Sequence, residues 1–273
     1  MRELRKISVV SIIDKGVRFY LTALKSFTYQ TYQNTEWLIV DNTGKNLLEK
    51  KLEKYIQKDQ RIVLISNEKV LSRIDVLKLV FEQTKGEFIA FLNPIDFWVK
   101  DKLARQVGFM TRYNAPLSHT SYAFADDKCN LLPIGCYHVQ KELDTLNYDM
   151  KNPVVSSTLM IDKNKTVINY ARFEFNEKED LMTVFLKSGI VSSGMSDVMT
   201  LCRPVFEKEL QTKIEGLIKK VLRDNPKDKM VTSRVLEHHA FEALNIGGLR
   251  LDPTICIGFD VVESLTRLRN FKV

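Results

Sequence analysis

Three features of the sequence predict an α/β fold, a mostly parallel central sheet with helices on both faces, followed by a helical C-terminal extension. β-Branched and aromatic runs alternate with segments of helical period through residues 1–115. Helix-length segments separate successive runs, as parallel strands require for their crossovers. Beyond Pro204 the strand-like runs give way to a basic, helical pattern.

Ile7 to Ile13 reads as a strand, Val17 to Gln30 as a helix, Glu36 to Asp41 as a strand, Leu47 to Gln57 as a helix and Arg61 to Ile65 as a strand. An amphipathic helix is expected over Val70 to Gln83. Gly86 breaks it, Glu87 to Leu92 reads as a buried strand, and Val99 to Tyr113 as the next helix. After Pro116 the pattern weakens. Strands are expected at Leu117 to Ala125 and Val154 to Asp162, and a helix from about Lys178 to Ser188. Helices at Glu207 to Arg223 and Val231 to Leu244 flank the polar DNPKDK. The expected organisation is therefore a domain over 1–203, with halves 1–115 and 116–203, and an extension over 204–273. No internal repeat or long low-complexity segment is visible.

A chain of 273 residues with 44% hydrophobic content can bury a full core. No apolar run approaches the roughly 18 residues of a membrane-spanning helix, and MRELRKISVV runs directly into a strand, so a cytoplasmic location is expected. Cys129, Cys136, Cys202 and Cys256 lack paired CxxC spacing and read as reduced packing residues. A net charge of +7 with a pI near 9.1 suits a polyanionic partner: nucleic acid, an anionic membrane face or a phosphorylated ligand. Nucleic acid is the weakest of these, because the positive charge is interspersed with acidic residues and no aromatic-basic reading motif stands out. The stretch KIEGLIKKVLR suits peripheral contact with an anionic membrane or, as readily, packing on its own domain with a solvated lysine face.

Ligands of such sheets gather at the carboxyl ends of the strands, which draws attention to the residues just after the strand Phe88 to Leu92. There the chain reads GEFIAFLNPIDFW. With ISVVSIID, YLTALKSFTYQTYQNTEWLIVDNTG, SNEKVLSR, TKGEFIAFLNPIDFWVKDKLARQVGFM, SSTLMIDK and the later FLKSG and MTLCRP, this segment resembles the family 2 glycosyltransferases over about three quarters of the chain. The resemblance implies a GT-A fold, a Rossmann-like sheet that binds a nucleoside-diphosphate sugar, with an acceptor half built from later segments. It also implies a divalent Mn²⁺ or Mg²⁺ held against the pyrophosphate by an Asp-x-Asp cluster, a carboxylate base for the acceptor hydroxyl, and inversion at the anomeric carbon.

Carried onto this sequence, the cluster falls on Leu92-Asn93-Pro94-Ile95-Asp96. Asn93 retains an oxygen suited to a ribose hydroxyl, Ile95 cannot ligate, and Asp96 is left as a single weak metal ligand or as a turn residue capping the helix expected from Val99. Metal-independent transfer, with Arg73 and lysines such as Lys100 or Lys102 stabilising the leaving diphosphate, is the companion expectation. Asp41, ending the strand in LIVDNTG, matches the family's base-recognising position, or else closes an Asx-turn. Arg73 matches a phosphate-proximal arginine, or lies on a solvated helix face. Asp14 stands within Ile12-Ile13-Asp14-Lys15, where the family carries PxYN, and is assigned to the nucleotide-sugar pocket.

The candidate catalytic base is the Glu179-Asp180 pair. A gapless alignment from Lys187-Ser188-Gly189 instead puts Glu177-Lys178 on the family's Glu-Asp. Asn176 with Glu179 also has capping-box spacing. His238-His239 lies on one helix, where neighbours point about 100° apart, so the pair reads as packing or surface histidine rather than a shared metal site.

Two functions are expected. The first is a glycosyltransferase of cell-surface polysaccharide or glycoconjugate biosynthesis. It would use a UDP-sugar and a glycan, glycolipid or glycoprotein acceptor. The second is a GT-A-like binding or scaffold module for a partner glycosyltransferase.

Overall fold

The computed structural model describes residues 4–14, 21–125, 131–137, 139–148, 154–168, 170 and 181–202. The chain forms two compact units. The first comprises Met1–Thr120, Val139–Tyr148 and Val154–Thr200, and the second Ser121–His138, Asp149–Pro153 and Leu201–Val273. The extension expected over 204–273, with its two helices, KIEGLIKKVLR, His238 and His239, lies outside the described residues.

The first unit opens with β1 (Ile7–Ile13), α1 (Leu21–Thr28), β2 (Thr35–Asp41), α2 (Glu49–Lys58), β3 (Ile62–Ser66), α3 (Arg73–Gln83) and β4 (Phe88–Phe91). β5 (Phe97–Trp98), α4 (Lys102–Tyr113) and β6 (Leu117–Ala125) come next. Later come β7 (Leu131–Tyr137), β8 (Glu142–Leu143), β9 (Met160–Asp162), α5 (Leu181–Lys187) and β10 (Ser192–Cys202). The strand order is β3-β2-β1-β4-β9-β6-β10-β5. β3, β2, β1 and β4 are mutually parallel, while β9 runs antiparallel to both β4 and β6. In the second unit, residues 121–125 of β6 pair antiparallel with β7, setting Tyr122 opposite Tyr137 and Ala123 opposite Cys136.

Period-2 alternation sends the strands' side chains to two cores. Val9, Ile39 and Ala90 join Phe27 of α1, Leu52 of α2 and Leu103 of α4 on one side. Val10, Leu38 and Ile89 join Val76 and Val80 of α3 and Phe185 of α5 on the other. Helices therefore cover both faces, which explains the continuous burial of β2 and β4.

Three elements differ from expectation, and the start of a fourth lies outside the described residues. α3 begins at Arg73 rather than Val70, because extended Ser72 caps it by accepting the Asp75 N–H at 3.2 Å. α4 begins at Lys102 rather than Val99, because Phe97 and Trp98 form β5 and the Val99 N–H donates to the Met199 carbonyl at 3.2 Å. The segment Val154 to Asp162 is not one strand. A 3-10 turn over Ser156–Thr158 precedes the short β9. The helix expected from Lys178 is described only over Leu181–Lys187.

The sheet is pinned at the amino ends of its parallel strands. Glu36 is buried, accepts from Ser8 Oγ at 2.5 Å and from the Lys85 N–H at 2.7 Å, and pairs with Lys6 at 3.0 Å. Burial alone would raise its pKa, but these partners hold the carboxyl below the usual range. The Gly86 N–H donates to the same Ser8 hydroxyl at 2.8 Å. A Cβ on Gly86 would lie 2.5 Å from the Ser8 nitrogen, so glycine is required for this close approach.

Candidate functional site

The carboxyl ends of the parallel strands carry Asp14, the loop from Asp41, and the Asn93 turn. The Asn42 side-chain amide donates to Asp14 Oδ1 at 2.9 Å and to the Leu71 carbonyl at 3.2 Å, and its oxygen accepts the Leu71 N–H at 2.8 Å. Its backbone N–H donates to the Ile13 carbonyl at 2.8 Å. One buried residue thus ties the end of β1, the loop after β2 and the approach to α3 together. Asp14 is exposed beside it.

Asp41 is fully buried, and its carboxylate builds the loop after β2. Oδ1 accepts the Thr43 N–H at 3.1 Å and the Thr43 hydroxyl at 2.6 Å, and Oδ2 accepts the Leu48 N–H at 3.1 Å. Oδ2 therefore stands at the positive N-terminal end of α2. Gly44, with φ of 68°, supplies the left-handed turn that closes the loop. Arg73, the first residue of α3, is exposed and lies two positions after Leu71, so the Asn42 contacts tether the chain just ahead of it.

Asn-Pro-Ile-Asp is a turn by its chemistry. The Asp96 N–H donates to the Asn93 carbonyl at 2.9 Å, and the Ile95 N–H to Asn93 Oδ1 at 3.2 Å, with Pro94 at the position that favours its fixed φ. Asp96 is buried, and its Oδ2 accepts from Ser157 Oγ at 2.5 Å. Because α4 starts at Lys102, Asp96 does not cap that helix.

This donor set does not fit a hard divalent ion. Mg²⁺ and Mn²⁺ favour several oxygen ligands, carboxylates above all, whereas the turn offers one buried carboxylate already engaged by Ser157 and one amide oxygen already accepting from Ile95. Among the described residues no group of three His, Cys, Asp or Glu could hold a metal. The weak metal role expected of Asp96 is therefore not supported by its surroundings.

Two expected cations differ sharply. Lys100 is exposed, whereas Lys102 is fully buried with its ammonium 3.9 Å from the Trp98 ring centroid and without a hydrogen-bond partner. Burial pushes its pKa well below the usual lysine value, so it is poorly placed to stabilise a diphosphate. Glu177, Lys178, Glu179 and Asp180 lie outside the described residues.

Asn42 and Ser157 carry contacts that sequence reading did not assign. Asn42 was findable as the neighbour of Asp41 in VDNTG. Ser157 had no local signal, since it lies 61 residues from Asp96.

The model of glycosyl transferase family 2 matches residues 19–156, just over half of the chain. The chain belongs to glycosyl transferase family 2. Among its relatives is TuaG of Bacillus subtilis (strain 168), described as a candidate teichuronic acid biosynthesis glycosyltransferase. It is 28% identical over 64% of this chain and 70% of its own length. Another is the Escherichia coli UDP-Glc:alpha-D-GlcNAc-diphosphoundecaprenol beta-1,3-glucosyltransferase WfgD, 28% identical over 63% of this chain and 66% of its own. The crystal structure of Staphylococcus aureus TarS 1-349 in complex with UDP-GlcNAc superposes with a TM-score of 0.55 at 14% identity, covering 88% of this chain and 72% of that one. The fold of this family 2 chain is GT-A. The chain spans about two thirds of the length of these curated relatives, and 43% of the longer TarS chain.

Proposed function

We propose that this family 2 chain transfers a sugar from a UDP-sugar to a lipid-linked or polymeric glycan acceptor in cell-surface polysaccharide biosynthesis, with inversion. The observation that carries the reading is the grouping of Asp14, Asn42, Arg73 and the Asn93–Asp96 turn at the carboxyl ends of the parallel strands. The relatives add chemistry: WfgD is named for a UDP-glucose donor and a diphosphoundecaprenol-linked acceptor, and TarS is described with UDP-GlcNAc. No helix among the described residues is long and apolar enough to cross a membrane.

In this reading Asp14, Asp41 and Asn42 form the floor for the base and ribose. Asp41 acts through the loop it holds. Asn93 offers its amide to the ribose, and Asp96 stabilises the turn. The acceptor oxygen attacks the anomeric carbon as the bond to the diphosphate breaks. The acceptor proton passes to a carboxylate, for which Glu179 and Asp180 remain the candidates. The leaving diphosphate gains charge, and the Arg73 guanidinium fork suits its oxygens. A divalent metal, where one serves, would need ligands beyond Asp96.

The scaffold alternative draws no support from the relatives, which are named as transferases. The reading is tested by incubating the chain with UDP-[¹⁴C]glucose or UDP-[¹⁴C]GlcNAc and lipid-linked GlcNAc-diphosphate acceptors, with and without Mn²⁺. Transfer to lipid supports it. UDP binding without transfer to any acceptor would favour the scaffold.

A further inference from the structure

Ser157 is fully buried in the 3-10 turn ahead of β9. Its hydroxyl donates to Asp96 Oδ2 at 2.5 Å and accepts the Asn93 N–H at 2.8 Å, so one side chain holds both ends of the four-residue turn. The roles are fixed by chemistry. The Asn93 N–H can only donate, which leaves the single serine proton for the carboxylate. The Ser157 carbonyl accepts the Trp98 indole N–H at 2.8 Å and the Thr200 hydroxyl at 3.0 Å. Next to it, the Thr158 carbonyl accepts the Gln106 amide at 2.9 Å. The turn after β4, the end of β5, α4 and β10 therefore meet at Ser157 and Thr158.

We infer that Ser157 is a positioning residue for the donor site: it fixes the Asp96 carboxylate and the Asn93 backbone in one arrangement, and so sets donor affinity without touching the donor. This rests on the reading that the Asn93–Asp96 turn belongs to that site. A turn with an Asn at one end and an Asp at the other has several side-chain rotamers open to it. A buried hydroxyl bonded to both ends selects one, and pre-organisation of this kind improves affinity by reducing what binding must order.

The test is calorimetric titration with UDP of the wild-type chain, Ser157→Ala, Asp96→Ala, the Ser157→Ala/Asp96→Ala double variant and Thr200→Val. Ser157→Ala is expected to weaken UDP binding about tenfold, in line with a lost hydrogen bond to a charged group. In the Asp96→Ala background the same change is expected to cost less than it does in wild type, because the bond to the carboxylate is already gone and only the bond from the Asn93 N–H remains to be lost. Thr200→Val removes a hydroxyl from the same serine's carbonyl without touching Asp96, and is expected to leave affinity within about twofold of wild type.

Unchanged affinity in Ser157→Ala overturns the inference. So does an equal loss in Thr200→Val, which would mark general loosening rather than positioning. Should Ser157→Ala fail to fold, Ser157→Cys keeps the volume with a much weaker donor and is expected to show the same loss; wild-type affinity in it overturns the inference equally. Absence of UDP binding in the wild-type chain would refute the donor-site reading, and this inference with it, and is distinguished from the other outcomes by the wild-type titration alone.

Discussion

The Asn42 amide donates to the Asp14 carboxylate at 2.9 Å, joining the end of β1 to the loop after β2 across 28 residues of sequence. The same side chain makes paired hydrogen bonds to the Leu71 backbone. Asn42→Ala would leave the Leu71 N–H without its acceptor and release Asp14, at a cost of about 1–3 kcal/mol. The expected result is UDP affinity lowered about tenfold or more, read by calorimetry. Wild-type affinity in this variant would remove Asn42 from the site.

Arg73→Ala is expected to weaken UDP binding by roughly 10- to 100-fold, the range of a charge-assisted hydrogen bond, while uridine, which lacks the diphosphate, binds as it does to wild type. Equal losses for both ligands would mean that the variant disturbs the start of α3 rather than a phosphate contact.

His119 is buried on β6, with Nδ1 2.7 Å from Ser192 Oγ. Burial lowers its pKa to about 4, against a smaller opposing contribution from the Gln140 backbone. The folded chain keeps this imidazole neutral while the unfolded chain protonates it below about pH 6.5. Its contribution to stability is therefore complete above about pH 6.5 and lost as the pH falls toward 4, a change of about 3 kcal/mol. Glu36, held below the usual carboxyl range, adds a loss at lower pH as it protonates. Urea midpoints of wild type and His119→Gln measured between pH 7 and pH 4.5 separate the two, because the variant lacks only the histidine slope.

Lys102 is buried with no hydrogen-bond partner, and the Trp98 ring face is a poor substitute for water. Lys102→Met keeps the length of the chain and removes the polar end. It is expected to raise stability at pH 7 by roughly 1–3 kcal/mol in urea unfolding. The gain should shrink as the pH rises toward about 10.5, where the unfolded chain also loses this proton.

Gly86→Ala places a methyl group against the backbone of Ser8 and disturbs the Ser8, Glu36 and Gly86 hydrogen bonds together. The expected loss is about 1–3 kcal/mol, seen as a lower Tm, with UDP affinity near wild type because the contact lies at the opposite end of the strands from the proposed donor site.

The alternating pattern made β1, β2, β3 and β4 legible, since their side chains serve two apolar cores and β-branched residues suit both. Leu117–Ala125 was legible for the same reason, although four of its residues, Ser118, His119, Thr120 and Ser121, are buried polar groups. β10 was not legible. SSGMSDVMTLC carries glycine, serine and aspartate, and it is a strand because neighbouring strands pair with it. The start of α3 could be read from Ser72 with Asp75 three residues on, whereas the start of α4 depends on β5 pairing. At the site, the Asn-Pro turn was legible from local chemistry. The clamp from Ser157 was not, because hydrogen bonds across such sequence separations leave no periodic trace.

The most direct test of the donor-site account is calorimetric titration of the purified chain with UDP and GDP, each with and without Mn²⁺. The account predicts UDP binding that is tighter than GDP binding and is lost progressively in Arg73→Ala and Asn42→Ala. Binding of neither nucleotide, with or without the metal, would contradict it.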